Sequence, residues 1–255
     1  LAVQEVRGRE LRAVDEYKDE FLATLAHELR NPLAPIRTGL DILKLSEGNP
    51  ATTSSVVQRL GRQVRHMVHL GDDLLEVSRI SRGAIELRKQ RIDLGAVLQS
   101  AVETSRPLID AAHHQLLVEG PGLDIFVDGD PVRLSQVIAN LLNNSAKYTD
   151  AGGRIELKAC RDGDTAVVTV RDDGIGIPEQ MLPKIFDMFM QVERHQRGQG
   201  GLGVGLTLVR TLVEMHGGTV AARSEGLGRG AEFTIRLPLA DVNGRVAANT
   251  AARIE

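Results

Sequence analysis

The sequence predicts two domains: an N-terminal antiparallel helical hairpin that pairs with a second copy into a four-helix bundle, and a C-terminal α+β sandwich. Three observations predict this. Apolar residues recur at intervals of three and four up to about residue 83, which is the helical period. Beyond Ser81-Arg82-Gly83 the spacing changes to short apolar runs of strand type. Helical stretches lie between those runs, but without the strict strand–helix alternation of a doubly wound sheet.

The first apolar stripe is Val14, Tyr17, Phe21, Leu25, Leu29, Leu33, Ile36, Leu40 and Leu43. The turn residues Ser46-Glu47-Gly48-Asn49-Pro50 end it. A second stripe follows: Leu60, Val64, Met67, Gly71, Leu74 and Ser78. Each is a narrow seam on a charged helix, and one hairpin leaves much of that seam exposed. Pairing two hairpins buries it, so a homodimer is expected. The competing arrangement packs the seam against the second domain of the same chain. Strands are expected at 85–88, 154–159, 166–171, 218–222 and 232–237, and helices near 93–111, 130–147 and 203–216. The domains are therefore drawn at 1–83 and 84–240, with 241–255 a tail or a linker cut short.

Composition excludes several classes of function. A net charge of -3 on 255 residues gives no overall attraction to nucleic acid or an anionic membrane. The chain has no tryptophan and few aromatics, which argues against a base-stacking surface. Cys160 is the single cysteine, so no internal disulfide is possible; a reducing, cytoplasmic compartment fits, and the residue reads as a small core side chain. No apolar run approaches the roughly 20 residues of a membrane span, and no signal peptide is visible. The chain starts at Leu1 inside a helical pattern, so it reads as a fragment whose sensor or membrane anchor lies upstream.

Four segments carry chemistry. In the first, His27-Glu28-Leu29-Arg30-Asn31-Pro32, Leu25 and Leu29 face the seam, so His27 and Glu28 fall toward solvent. A neutral imidazole is a usable nucleophile, and Glu28 can accept the proton from its other ring nitrogen. Asn31 lies at i+4 from His27, on the same face, where a carboxamide can orient a water. Pro32 predicts a kink or local opening beside the histidine. On chemistry alone such a histidine reads as part of a solvated helix face. His66, His69, His113, His114, His195 and His216 have no metal-ligand spacing and read as surface or supporting residues.

The second segment runs from Asn140 to Tyr148. It follows Asp130-Pro131, a capping residue with proline at the first turn. Asn140, Asn144 and Lys147 are spaced four and three and share a face opposite Leu134, Val137, Ile138, Leu141 and Leu142. Amide oxygens suit Mg²⁺, and an ammonium suits phosphate. Taken alone, the stripe also reads as plain helix surface. The third segment, Asp172-Asp173-Gly174-Ile175-Gly176-Ile177-Pro178, follows a strand. Its first carboxylate can accept from the exocyclic amine of adenine, and its glycines permit close approach; an ordinary turn reads equally well. In the fourth, Gly198 to Leu206, a glycine-rich loop opens a helix, an anion site. A charged stretch, not a strand, precedes those glycines, and no Lys-Ser or Lys-Thr follows. The dinucleotide fingerprint and the P-loop are both poor fits.

Together these segments resemble the H, N, G1 and G2 boxes of the sensor histidine kinases, with Ile185-Phe186-Asp187-Met188-Phe189 as the F box, in the family's order, over roughly residues 15 to 240. The resemblance implies a Bergerat-type ATP-binding sandwich of the kind found in Hsp90-, gyrase- and MutL-like ATPases. It implies that His27 is the phosphoacceptor, that Glu28 is its base and that Asn31 serves dephosphorylation of a response regulator. It further implies Asn144 as the Mg²⁺ ligand with Asn140 on the same face, Lys147 and Tyr148 against the nucleotide, and Asp172 on adenine. Gly174 and Gly176 would shape the base pocket. Gly201, Gly203 and Gly205, running into Leu206, would cradle the phosphates, and 187–200 would be a mobile lid whose Arg194 or Arg197 reaches the γ-phosphate. ATP, Mg²⁺ and the receiver domain of a response regulator are the implied ligands and partner. Two departures stand out: Ser145 where alanine is usual, and Asp173 where asparagine is frequent. A catalytically quiet dimer and an Hsp90-like conformational ATPase are the rival readings.

Overall fold

The computed structural model describes residues 25–26, 29–45, 49–81, 85–120, 124–188, 190 and 203–240. They fall into two compact units. One holds the residues up to Ile85 together with Lys184–Leu208; the other holds Glu86–Pro183 and Val209 onward.

The first unit contains the hairpin. Helix α1 runs through 29–45, and α2 spans Pro50–Ser81. Asn49 starts α2: its carboxamide oxygen accepts from Thr52 N at 3.3 Å and its carbonyl from Thr53 N at 3.0 Å, with Pro50 at the first helical position. Within the hairpin the covered positions of α1 are Leu29, Pro32, Ile36, Gly39 and Leu43. That spacing of three and four makes one seam, with two members the apolar stripe omitted. Gly39 belongs to it because it has no side chain: a Cβ there would stand 2.8 Å from Leu60 Cδ2 and 3.3 Å from Val56 Cγ1. On α2, Val56, Leu60, Gln63, Met67, Gly71, Leu74 and Ser78 are covered. Leu33, Leu40 and Val64, expected on the seam, are instead exposed. A 3.6-residue turn carries them to a second apolar strip alongside Val57, Val68 and Leu75. The helix continues through Pro32, while residues 27–28, where a kink would show, lie outside the described residues.

The second unit is the α+β sandwich. Its elements are β1 Gln90–Asp93, α3 Leu94–Ala111, β2 Gln115–Glu119, β3 Phe126–Gly129, α4 Pro131–Tyr148, β4 Arg154–Asp162, β5 Thr165–Asp172, β6 Thr219–Arg223 and β7 Ala231–Pro238, with α5 Gly205–Met215 ahead of β6. A five-stranded sheet has the order β2-β4-β5-β7-β6, parallel only at β2–β4. A separate antiparallel pair joins β1 and β3. Alternation gives the sheet one apolar face, from Ile155, Leu157, Val168, Val170, Phe233 and Ile235. Helix α4 packs on β4 and β5 with Leu141 and Leu142 buried, and α3 packs on α4 with Leu98 and Ile109 buried. The other face is solvated and charged: Arg154 pairs with Glu156 at 2.7 Å, and Lys158 with Glu119 at 3.2 Å. Cys160 lies on that face and is exposed, not the core residue expected, because its parity in β4 matches Arg154, Glu156 and Lys158.

Three sequence expectations are corrected here. Residues 85–89 are not a strand. Arg88 N–H is committed to a carboxylate oxygen of Asp130 at 3.0 Å, and Lys89 Nζ donates to the Met215 carbonyl at 2.7 Å, so pairing begins only at Gln90. The strands β2 and β3 were missed because both are short and sit at sheet edges. His114 and His216 are buried, not surface residues. The Nε2 of His114 lies 3.0 Å from the Ala146 carbonyl. His216 holds the Leu212 carbonyl at 2.7 Å through Nδ1 and accepts Asp130 N–H through Nε2 at 3.0 Å. The predicted tail 241–255 lies outside the described residues.

Candidate functional site

Helix α4 begins where Asp130 and Pro131 predicted. One carboxylate oxygen of Asp130 accepts from Val132 N at 3.0 Å and Arg133 N at 3.2 Å, while the other takes Arg88 N–H. Burial works to raise the pKa of Asp130, but the three backbone donors and the Arg133 charge outweigh it and hold the carboxyl below its ordinary value. Leu134, Val137, Ile138, Leu141 and Leu142 are buried. Asn140, Asn144 and Lys147 therefore remain on the half-buried side, as their spacing predicts. The Lys147 ammonium sits 4.9 Å from the centroid of the Tyr148 ring.

The end of β5 is strapped to the end of α4. Asp172 is 7% exposed. Its Oδ1 accepts from Gly174 N at 3.1 Å and Ala231 N at 3.2 Å, and its Oδ2 from the Ser145 hydroxyl at 2.9 Å. Burial raises its pKa, the Asp173 charge adds to that, and the three donors oppose it; the net direction is upward. Ile175 N donates to the Tyr148 carbonyl at 3.0 Å. Gly174 lies so close to that carbonyl that a Cβ would collide with it. Gly176 adopts φ +72, where a side chain would be strained and would also meet the Gly226 carbonyl. Asp172, Gly174 and Gly176 are thus brought together with Tyr148 and the face bearing Asn144 and Lys147, within one unit.

The segment 224–230 was not singled out from the sequence, yet it braces this loop. Ser224 Oγ accepts from Ile177 N at 2.9 Å and donates to the Gly230 carbonyl at 2.7 Å. Gly228 N donates to the Ile175 carbonyl at 2.7 Å, and Gly230 N to the Gly174 carbonyl at 3.0 Å. The density of Gly226, Gly228 and Gly230 between two strand runs was the available signal.

Asn31 and the glycine loop belong to the other unit. Asn31 is exposed on α1. Gly203 has φ +69, and Gly205 and Leu206 open α5, both half-buried. Val204 is buried at 2% exposure, and Leu25, Leu74 and Met188 pack against it. The end of the glycine loop therefore packs on α2 through Leu74 and on the helical residue Leu25. His27, Glu28 and Gly201 lie outside the described residues, as do Phe189, Arg194 and Arg197. Among the described residues no cluster of three or more His, Cys, Asp or Glu is placed to hold a metal ion. No helix among them is long and apolar enough to cross a membrane.

Comparison with known proteins agrees with this geometry. The family described as His Kinase A (phospho-acceptor) domain matches residues 17–83, and that described as histidine kinase-, DNA gyrase B- and HSP90-like ATPase matches 129–241. The chain is 34% identical over 234 residues to the circadian input-output histidine kinase CikA of Synechococcus elongatus, covering 89% of this chain and 31% of that one. It is 36% identical over 242 residues to the adaptive-response sensory kinase SasA of a Synechococcus strain, covering 92% and 63%. Among solved structures it resembles full-length ShkA in complex with AMPPNP, at 30% identity and a TM-score of 0.61, covering 87% of this chain and 46% of that one. The chain thus spans about a third of the length of CikA and under two thirds of SasA. With a phospho-acceptor hairpin followed by a Bergerat-type sandwich, the chain belongs to the sensor histidine kinases.

Proposed function

We propose that this chain is an ATP-dependent histidine autokinase that phosphorylates His27 and hands the phosphoryl group to an aspartate on the receiver domain of a response regulator. The observation that carries the reading is Asp172. It is a buried carboxylate at a strand end, held by three donors and joined through Ser145 to the helix that bears Asn144 and Lys147. A buried carboxylate with acceptor capacity to spare suits the amino group of adenine. The packing of Val204 against Leu25, two residues before His27 in the sequence, supports an acceptor at that point of the chain.

In this reading Asp172 binds the base, Gly174 and Gly176 shape its pocket, and Tyr148 lies against the nucleotide. Lys147 offsets phosphate charge, and the amides of Gly201, Gly203, Gly205 and Leu206 surround the phosphates. The carboxamides of Asn144 and Asn140 are hard oxygen donors on one half-buried face, which suits Mg²⁺ bound through one or two protein ligands and the phosphates of its substrate. Mg²⁺ when bound neutralises phosphate charge. A ring nitrogen of His27 attacks the γ-phosphorus; the N–P bond forms as the bond to the β,γ-bridging oxygen breaks, ADP leaves, and the proton on the other ring nitrogen passes to Glu28. Asn31, exposed on α1, is assigned to orienting the water that hydrolyses the aspartyl phosphate of the receiver domain to carboxylate and inorganic phosphate.

The same reading makes the working state a homodimer, built on the second apolar strip of the hairpin, in the cytoplasm, with a sensor upstream. The test is incubation of the full chain with γ-labelled ATP and Mg²⁺. Acid-labile label on wild type that is absent from His27→Gln, and that moves to an added receiver domain, is the expected result. ATP binding without label would favour a quiet dimer; steady phosphate release insensitive to His27→Gln would favour a conformational ATPase.

A further inference from the structure

Ser145 is 1% exposed and donates its hydroxyl proton to Asp172 Oδ2 at 2.9 Å. The other carboxylate oxygen is taken by two backbone donors, Gly174 N at 3.1 Å and Ala231 N at 3.2 Å. An ionised carboxylate offers about four lone-pair sites. Three are occupied, so the remaining one lies on Oδ2, the oxygen that Ser145 holds. Without the hydroxyl, that oxygen would be buried with no protein donor, and the group would turn or take up a proton. Either change would end its role as a fixed, pure acceptor. Packing alone does not call for a hydroxyl here: an alanine would fit the same space and leave no polar atom to satisfy.

We propose that Ser145 is a positioning residue for base selection: its hydroxyl pins the Asp172 carboxylate so that the free Oδ2 lone pair selects purines carrying a 6-amino donor over those carrying a 6-oxo acceptor. This rests on the assignment of Asp172 to adenine made above. Ser145 acts through Asp172 and touches no reacting atom.

The experiment is calorimetric titration of the full chain with ADP, GDP and the 5′-diphosphate of purine riboside, which lacks any 6-substituent. Wild type, Ser145→Ala and Ser145→Cys are compared. Wild type should prefer ADP to the unsubstituted analogue. Ser145→Ala should lose about tenfold in ADP affinity, the worth of one charge-assisted hydrogen bond. It should leave the analogue within about twofold, and the ADP-to-GDP ratio should fall with it. Ser145→Cys, which keeps the volume but donates weakly, should fall between. Equal losses for ADP and the analogue, an unchanged ADP affinity in Ser145→Ala, or full recovery in Ser145→Cys would each overturn the proposal. A wild type that binds both ligands alike would instead remove the reading of Asp172, and the role of Ser145 with it.

Discussion

At the scale of single residues, Asp172 sets stability against the role proposed for it. Burial, helped by the Asp173 charge, raises its pKa despite three donors. The folded protein therefore holds that proton more tightly than the unfolded chain does. The carboxyl's contribution to stability is complete below the unfolded value of about 3.9 and is lost as pH rises through the raised folded value. At neutral pH the ionised group costs stability. Asp172→Asn can satisfy the same site: its oxygen accepts from Gly174 and Ala231, and its amide donates to Ser145 Oγ. The variant should melt at pH 7 no lower than wild type, yet lose about tenfold or more in ADP affinity. Calorimetry and a thermal melt on one preparation check both halves; a large fall in melting temperature would show that the charge supports the fold. Asp172 could be read from sequence because a strand-end carboxylate before two glycines is a local pattern. The roles of Ser145 and Ala231 could not, since nothing near them points to a carboxylate.

At the scale of elements, the start of α4 and the end of α5 meet at His216. Its Nε2 accepts the Asp130 N–H at 3.0 Å, and its Nδ1 donates to the Leu212 carbonyl at 2.7 Å, which requires the neutral ring. Burial first, and then the Lys89 charge, hold its pKa below the ordinary histidine value; the Leu212 bond and Asp130 pull the other way. A folded pKa lower than the unfolded one gives stability that is present above about pH 6.5 and lost as pH falls through the folded value. Denaturant stability should therefore decline on acidification below about pH 6.5. His216→Leu should flatten that slope and cost about 1–3 kcal/mol at pH 7, because Asp130 N–H is left without an acceptor. Urea titrations at several pH values check this, and an unchanged slope would assign the acid sensitivity elsewhere. Asp130 loses its contribution in a separate window, below its ordinary carboxylate range, since its own pKa is lowered. The start of α4 was legible from Asp130-Pro131. The role of Arg88 and Lys89 was not: the backbone donor of one and the ammonium of the other are diverted to the start of α4 and the end of α5.

At the scale of the whole molecule, the hairpin carries two apolar strips per helix. One closes the hairpin itself, through Gly39 against Leu60 and Val56. The other, with Leu33 and Leu40 on α1 and Val57, Val64, Val68 and Leu75 on α2, faces outward. An exposed apolar strip of that length on charged helices is the surface that the proposed homodimer buries. The double variant Leu40→Glu/Val64→Glu should sediment as a monomer at concentrations where wild type is dimeric, with its helical circular dichroism retained. A double variant that stays dimeric would move the interface off this strip. The sequence predicted a seam, but it merged the two strips into one, because a list of apolar positions does not record on which side of a 3.6-residue turn each one falls.

The features legible in the sequence are those encoded over one or two helical turns or along one strand: the hairpin, the capped start of α4, the shared face of Asn140, Asn144 and Lys147, and the carboxylate–glycine turn at Asp172. Periodicity and capping act between near neighbours, so composition and spacing specify them. Only the tertiary structure decided which partners those features meet. Ser145 and Asp172 are 27 residues apart, Ala231 and Asp172 are 59 apart, and His216 and Asp130 are 86 apart. Each of those hydrogen bonds forms because a sheet register and a packed helix bring two distant polar groups into a buried site where each must find a partner.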